Sequence, residues 1–112
     1  MDAALDMTFR ALADPTRRAV IQALGRGPAS VGDLAKPFDM ALPSFLQHLR
    51  MLEDSGLVET RKVGRVRTCT LKPEALAAAE SWLDAQRSLW IKRLDQLDSL
   101  VLDLNKREDG TP

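Results

Sequence analysis

Ser44 and Gln47 stand three residues apart within residues 42–55, followed by Met51, with Pro43 and Arg50 nearer the edge of the same surface. Stepped at about 100° per residue on a helix, these groups lie opposite Leu49. The face is uncharged at its centre and offers amide, hydroxyl and apolar groups of the kind that meet base edges. A glutamine amide pairs bidentately with adenine and discriminates by about 1–3 kcal/mol, so Gln47 and Ser44 are the base-reading candidates. Arg50 is spaced to hold a phosphate. His48 lies on the flank, with two readings: a donor to phosphate, or a cap on the domain core. A solvated helix face is the plain alternative for the whole set.

A second group follows directly. Residues 57–72 hold Arg61, Lys62, Arg65, Arg67 and Lys72 against Glu59 alone, a local charge of +4. Residues 73–112 hold five basic and eight acidic groups, or −3, so the net charge of zero hides a basic patch. Such a patch is the electrostatic footprint of a phosphate-binding surface; its plain alternative is a solvated hairpin. Alternation along a strand means that its cations cannot all face one way.

Reaction chemistry has no comparable candidates. With one histidine in 112 residues there is no Ser-His-Asp set, and no glycine-rich phosphate loop is present. His48 lacks co-ligands for a metal. Cys69, the single cysteine, cannot form an internal disulfide, which fits a reducing cytoplasm, and inside a strand it reads as a buried, inert thiol. Composition is that of a globular protein, at 45% hydrophobic and 29% charged. No apolar run reaches the roughly 18 residues that a membrane span needs, and the acidic start MDAALDMTFR lacks the regions of a signal peptide. No cofactor and no membrane partner are expected.

The elements that must position these groups follow from apolar spacing and stop signals. Residues 3–13 form a first helix with Leu5, Phe9 and Leu12 on one side. Asp14 caps a second helix with Pro15 in its first turn, and Gly25 stops it. Arg17 and Arg18 reach either phosphate or solvent. Arg26 to Ala29 is a turn, and Ser30 caps a third helix, SVGDLAKPFD, with Asp33 in an acidic capping box and Pro37 loosening its end. After a short connection, residues 42–55 form a helix entered at Leu42-Pro43, buried through Leu42, Phe45, Leu49 and Leu52, and ended at Ser55-Gly56. Residues 57–71 are a hairpin with Lys62-Val63-Gly64-Arg65 as its turn. A basic hairpin directly after a reading helix is a wing, whose tip lies along the DNA backbone or in the minor groove. Residues 73–105 are helical, with a bend or break near Glu80–Trp82 not placed by sequence. Trp90, Leu94, Leu97, Val101 and Leu104 follow 4-3-4-3 spacing, the seam of a helix that packs against a partner. The first and last helices are therefore the candidate dimer interface; the alternative is a last helix folded onto its own domain. The tail from Arg107 to Pro112 is expected to be loose. The fold class is mainly α with a small β-hairpin, in one domain.

This order of elements resembles the ArsR-type winged helix-turn-helix repressors of bacteria. The resemblance rests on Leu12-Ala13-Asp14-Pro15-Thr16-Arg17-Arg18, Val31-Gly32-Asp33-Leu34-Ala35, the run from His48 to Val58, and Gly64-Arg65. Trp82-Leu83 and Trp90 are similar to the subgroup without metal sites. It implies a homodimeric repressor placing two reading helices in successive major grooves of a pseudo-palindromic operator. The family's metal sensors use cysteine pairs on the third helix or Asp and His on the last, and neither set occurs here. An effector is unknown; Trp82 and Trp90 either line a small-molecule pocket or belong to a core. Three positions depart from the family, one of them near Gln47, where the family commonly has lysine or arginine. Ala41 replaces a serine or threonine N-cap, and Leu46 replaces a serine often on phosphate, so that the wing carries more of the electrostatic work. Leu46 then either deepens packing or meets a thymine methyl. Phe45, Leu46 and Met51 motivate an alternative: a winged helix that binds a partner protein and has little DNA affinity.

Overall fold

The computed structural model describes residues 2–109. Its elements are α1 (Ala3–Leu12), α2 (Pro15–Leu24), β1 (Ala29–Ser30), α3 (Val31–Ala35), α4 (Leu42–Asp54), β2 (Val58–Val63), β3 (Val66–Leu71) and α5 (Pro73–Asp109). The chain divides into two compact units, residues 1–79 and 80–112.

Short polar side chains set the starts of the first three helices. Each accepts a backbone N–H that has no partner inside its helix. Asp2 accepts from Ala4 at 3.0 Å, Asp14 from Arg17 at 3.1 Å, and Ser30 from Asp33 at 3.1 Å. Helix α4 has no such cap, because Ala41 carries no acceptor although its backbone has the extended shape of an N-cap. Its far end is closed by Gly56, at φ +80°. There Leu57 N–H bonds Leu52 O at 3.1 Å and Gly56 N–H bonds Glu53 O at 3.0 Å. This pairing satisfies two end carbonyls and turns the buried Leu57 into the core.

The core of the first unit joins Ala11, Val20, Leu24, Leu34, Phe45, Leu49, Leu52, Leu57, Val58 and Cys69. Phe38 stacks on Phe45 with ring centroids 5.6 Å apart. The sheet has three strands in the order β1-β3-β2, all antiparallel. Strand β1, expected as part of a turn, pairs Ala29 with Cys69 and Ser30 with Thr68. Two residues are too few to show a period in sequence; pairing with β3 makes them a strand. The hairpin is also tighter than expected: Val63 pairs with Val66, leaving a two-residue turn at Gly64-Arg65. Gly64, at φ +65°, supplies the positive angle that the first position of such a turn requires.

Other expectations shift in detail. Helix α3 stops at Ala35, short of the ten-residue reading, with Pro37 just beyond. Leu42 is exposed, because the first turn of α4 extends past the core that receives Phe45. In α1 the fully buried groups are Thr8 and Ala11, while Leu5, Phe9 and Leu12 are half-buried. Helix α5 runs to Asp109 without a break at residues 80–82. The expected loose tail thus begins in helix, and residues 110–112 lie outside the described residues. In the second unit Trp90, Leu94, Leu97, Val101 and Leu104 are between 50% and 62% exposed in the single chain.

Two cap substitutions test this account. Burial alone would raise the Asp14 carboxyl; the Arg17 N–H bonded to it and the positive charge of Arg17 outweigh burial and hold it below its ordinary 3.8. A depressed folded value stabilises above the unfolded value and ceases to as pH falls through the folded one. Asp14→Ala should therefore cost about 1 kcal/mol at pH 7, with the gap to wild type closing below pH 3.8 in denaturant titrations at stepped pH. Ala41→Ser should add about 1 kcal/mol through a new cap on α4, read as a higher guanidinium midpoint with an unchanged slope.

Candidate nucleic-acid interface

Helix α4 presents two different sides. Phe45, Leu49 and Leu52 are sealed in the core, while Pro43, Ser44, Gln47 and Arg50 are exposed. The Ser44, Gln47 and Arg50 side chains make no hydrogen bond or ion pair with other described residues, so their bonding capacity faces outward. Leu46 is exposed rather than packed. It lines, with Gln47, Arg50, Glu53 and the wing residue Arg67, a cleft of about 350 Å³ between α4 and the hairpin.

The hairpin register sorts the wing cations. Directly paired residues share a face, and the pairs Val58–Leu71, Thr60–Cys69 and Lys62–Arg67 alternate with Glu59–Thr70, Arg61–Thr68 and Val63–Val66. Val58 and Cys69 are buried, so the first set forms the core face. Beyond the edge of the core that face continues outward as Lys62 and Arg67, toward the side where α4 lies. Neither has an ion-pair partner among the described residues, and Arg65 sits exposed at the tip beside Gly64. The opposite face is neutralised. Glu59 binds Lys72 at 3.2 Å and Arg61 at 3.2 Å, and these two cations, Lys72 first, hold its carboxyl below the ordinary value. Thr60 donates its hydroxyl to Glu53 at 3.3 Å, tying the base of the wing to α4.

Of the residues singled out in sequence, the fold gathers Pro43, Ser44, Gln47, Arg50, Lys62 and Arg67 on one side, with Gly64 and Arg65 at the wing tip. Three depart from it. Arg61 is turned to the other hairpin face, as strand alternation demands, and is engaged by Glu59. Met51 is half-buried and lines a small cavity with Met7, Arg10 and Asp54, where α1 crosses the end of α4. His48 turns its Nδ1 inward, 3.0 Å from Arg17 Nη1 and 3.7 Å from Asp14 Oδ2.

Arg17 itself, read as reaching phosphate or solvent, does neither. It is buried, donating Nε–H to Ala11 O at 2.8 Å and Nη2–H to Arg10 O at 3.0 Å. The one signal in sequence was spacing, since Arg17, Val20 and Leu24 stand three and seven residues apart on the buried side of α2. Arg18, exposed, donates to Leu12 O at 2.8 Å. Cys69 is fully buried, and burial pushes its thiol up, with the nearby Glu53 charge adding to the effect. No three His, Cys, Asp or Glu among the described residues are grouped to hold a metal ion. No helix among them is long and apolar enough to cross a membrane.

A family described as a helix-turn-helix domain matches residues 12–61. The HTH-type transcriptional regulator Rv2034 of Mycobacterium tuberculosis is 38% identical over 96 residues, 86% of this chain and 87% of that protein. The crystal structure of an ArsR family transcriptional regulator is 60% identical, with a TM-score of 0.75, covering 78% of this chain and 90% of that one. This chain belongs to the ArsR family. The arsenical resistance operon repressor of Escherichia coli is a further relative, 30% identical over 100 residues, covering 88% of this chain and 83% of that one. As an ArsR-family winged helix-turn-helix protein it is a DNA-binding transcriptional regulator and not an enzyme.

The roles of the two neighbouring arginines separate by stability. Arg17→Ala leaves the Arg10 and Ala11 carbonyls and His48 without their donor, and should cost about 3 kcal/mol. Arg18→Ala, at the surface, should stay within about 0.5 kcal/mol of wild type. Urea unfolding followed by circular dichroism checks both.

Proposed function

We propose that this ArsR-family regulator acts as a homodimeric repressor. It sets two α4 helices in successive major grooves of a pseudo-palindromic operator and blocks transcription from an overlapping promoter. The observation that carries this reading is the convergence of the open face of α4 with the unpaired wing cations Lys62 and Arg67. Gln47 and Ser44 read base edges, with Pro43 alongside. Arg50, Lys62, Arg65 and Arg67 hold phosphates, and Gly64 lets the tip turn tightly. Ala41 and Leu46 withhold phosphate contacts at the start of α4, so the wing supplies most of the counterion release on which affinity depends.

The dimer is formed by α1 and α5, through Leu5, Phe9 and Leu12 with Trp90, Leu94, Leu97, Val101 and Leu104. The long exposed apolar surface of α5 supports this, because a monomer rarely leaves such a seam open. The repressor works in the cytoplasm without a cofactor. It does not sense metal: its single cysteine is buried, and its one histidine is engaged by Arg17. Regulation by a small-molecule effector is left to a site other than a metal centre.

Titration of the protein against its own upstream DNA, at two salt concentrations with random duplex as control, tests the proposal. The upstream fragment should bind tightly and the random duplex weakly. Lys62→Ala and Arg67→Ala should each flatten the salt dependence by about one charge per protomer, and Arg61→Ala by less. Equal weak binding to both duplexes, with a biological effect that survives Gln47→Ala combined with Arg65→Ala, would instead indicate a protein-binding module.

A further inference from the structure

We infer that Arg17 fixes the tautomer of His48 so that α4 presents an imidazole Nε2–H to a backbone phosphate of the operator. Arg17 is the positioning residue and His48 the contact. This deepens the operator-binding proposal and rests on it.

The hydrogen bonds leave one arrangement of protons. A guanidinium carries only donors. The 3.0 Å bond between Arg17 Nη1 and His48 Nδ1 therefore requires Nδ1 to be the acceptor, with its lone pair directed at Arg17. The Asp14 carboxylate does not compete for this nitrogen. Its Oδ2 lies 3.7 Å from Nδ1, beyond hydrogen-bond range, and accepts the Arg17 backbone N–H at 3.1 Å. An imidazole that accepts at Nδ1 carries its proton on Nε2.

That second nitrogen is open to solvent. It has no hydrogen-bond partner among the described residues. No buried side-chain nitrogen or oxygen among them lacks a partner, so Nε2 is not buried. Its place on α4 suits a phosphate. His48 follows Gln47 and stands one turn after Ser44, on the flank facing α1 and α2. Leu46, Arg50 and Glu53 occupy the other flank, against the wing. A helix in a major groove lies between two phosphate backbones. The wing cations take one, and the His48 N–H meets the other. A phosphate oxygen is only an acceptor, so the opposite tautomer would turn a lone pair toward it and repel it.

Arg17 also explains why the ring cannot swing to another orientation. Its Nε and Nη2 are held by Ala11 O and Arg10 O at 2.8 and 3.0 Å, so the donor aimed at Nδ1 is fixed by the end of α1.

His48 is the one histidine in the chain, so long-range nitrogen-proton spectra of tag-free protein report it unambiguously. The expected spectrum shows a bare Nδ1 and a protonated Nε2. The binding probe is a duplex selected by wild-type protein from a randomised pool. His48→Ala should bind it about tenfold more weakly. Its salt dependence should be unchanged, because a neutral donor releases no counterion, whereas Arg67→Ala flattens it. His48→Gln, whose amide N–H reaches the position of Nε2, should recover part of the loss. Replacing the contacted phosphate by methylphosphonate should weaken wild type and leave His48→Ala unaffected. A protonated Nδ1 overturns the inference. So does wild-type binding by His48→Ala while Gln47→Ala weakens binding, a result that leaves the operator proposal standing. Undiminished binding by both variants and by Arg67→Ala overturns the two together.

Discussion

The buried guanidinium of Arg17 is the constraint on which the arrangement of the first three long helices depends. A charge taken out of water is tolerated only where its donors are met, and here three of them are, by two carbonyls at the end of α1 and by a ring nitrogen on α4. One side chain on α2 thereby fixes the end of its predecessor and the rotation of α4. Asp14 works on the same junction, capping α2 through the backbone of Arg17 while its carboxylate lies near the Arg17 charge and 3.7 Å from the His48 ring. The residues that start the second helix and the residues that orient the fourth are thus one polar cluster.

With α4 oriented, strand geometry decides what the wing can do. Period two places Lys62 and Arg67 on the face that continues outward from the core and Arg61 on the opposite one. Glu59 then draws Arg61 and Lys72 to itself, while Lys62 and Arg67, on the side of α4, have no ion-pair partner among the described residues. The segment's charge of +4 is therefore unevenly available. Its usable part lies next to the helix face that carries Gln47 and Arg50, and the Thr60–Glu53 bond holds hairpin and helix in one relation.

Much of this was legible in the chain before any coordinates. Asp14, Pro15 and Gly25 mark α2 because capping and φ restriction are local. Ser30 marks the start of α3, Gly56 the stop of α4, and Gly64 the hairpin, for the same reason. The buried stripe Phe45, Leu49 and Leu52 follows from helical period, as does the open face across from it. Family membership followed from the order of these elements with their motifs. Leu42 and Met51 were misplaced because period assigns an azimuth but not a length: Leu42 overhangs the core, and Met51 meets α1.

What the sequence determined by itself was everything governed by neighbours within a turn or two: element starts and stops, the faces of α4, the net charge of the hairpin, and the absence of residues for catalysis. What only the tertiary structure decided was everything governed by partners far away in the chain. The third strand exists because β3 is there to pair with it. Arg17 is interior because α1 and α4 converge on it from 6 and 31 residues away. His48 gains a defined tautomer from the same convergence. A polar side chain carries no local mark of which long-range partner will satisfy it. Hydrogen bonding is directional and needs its acceptor in place, and packing alone puts it there.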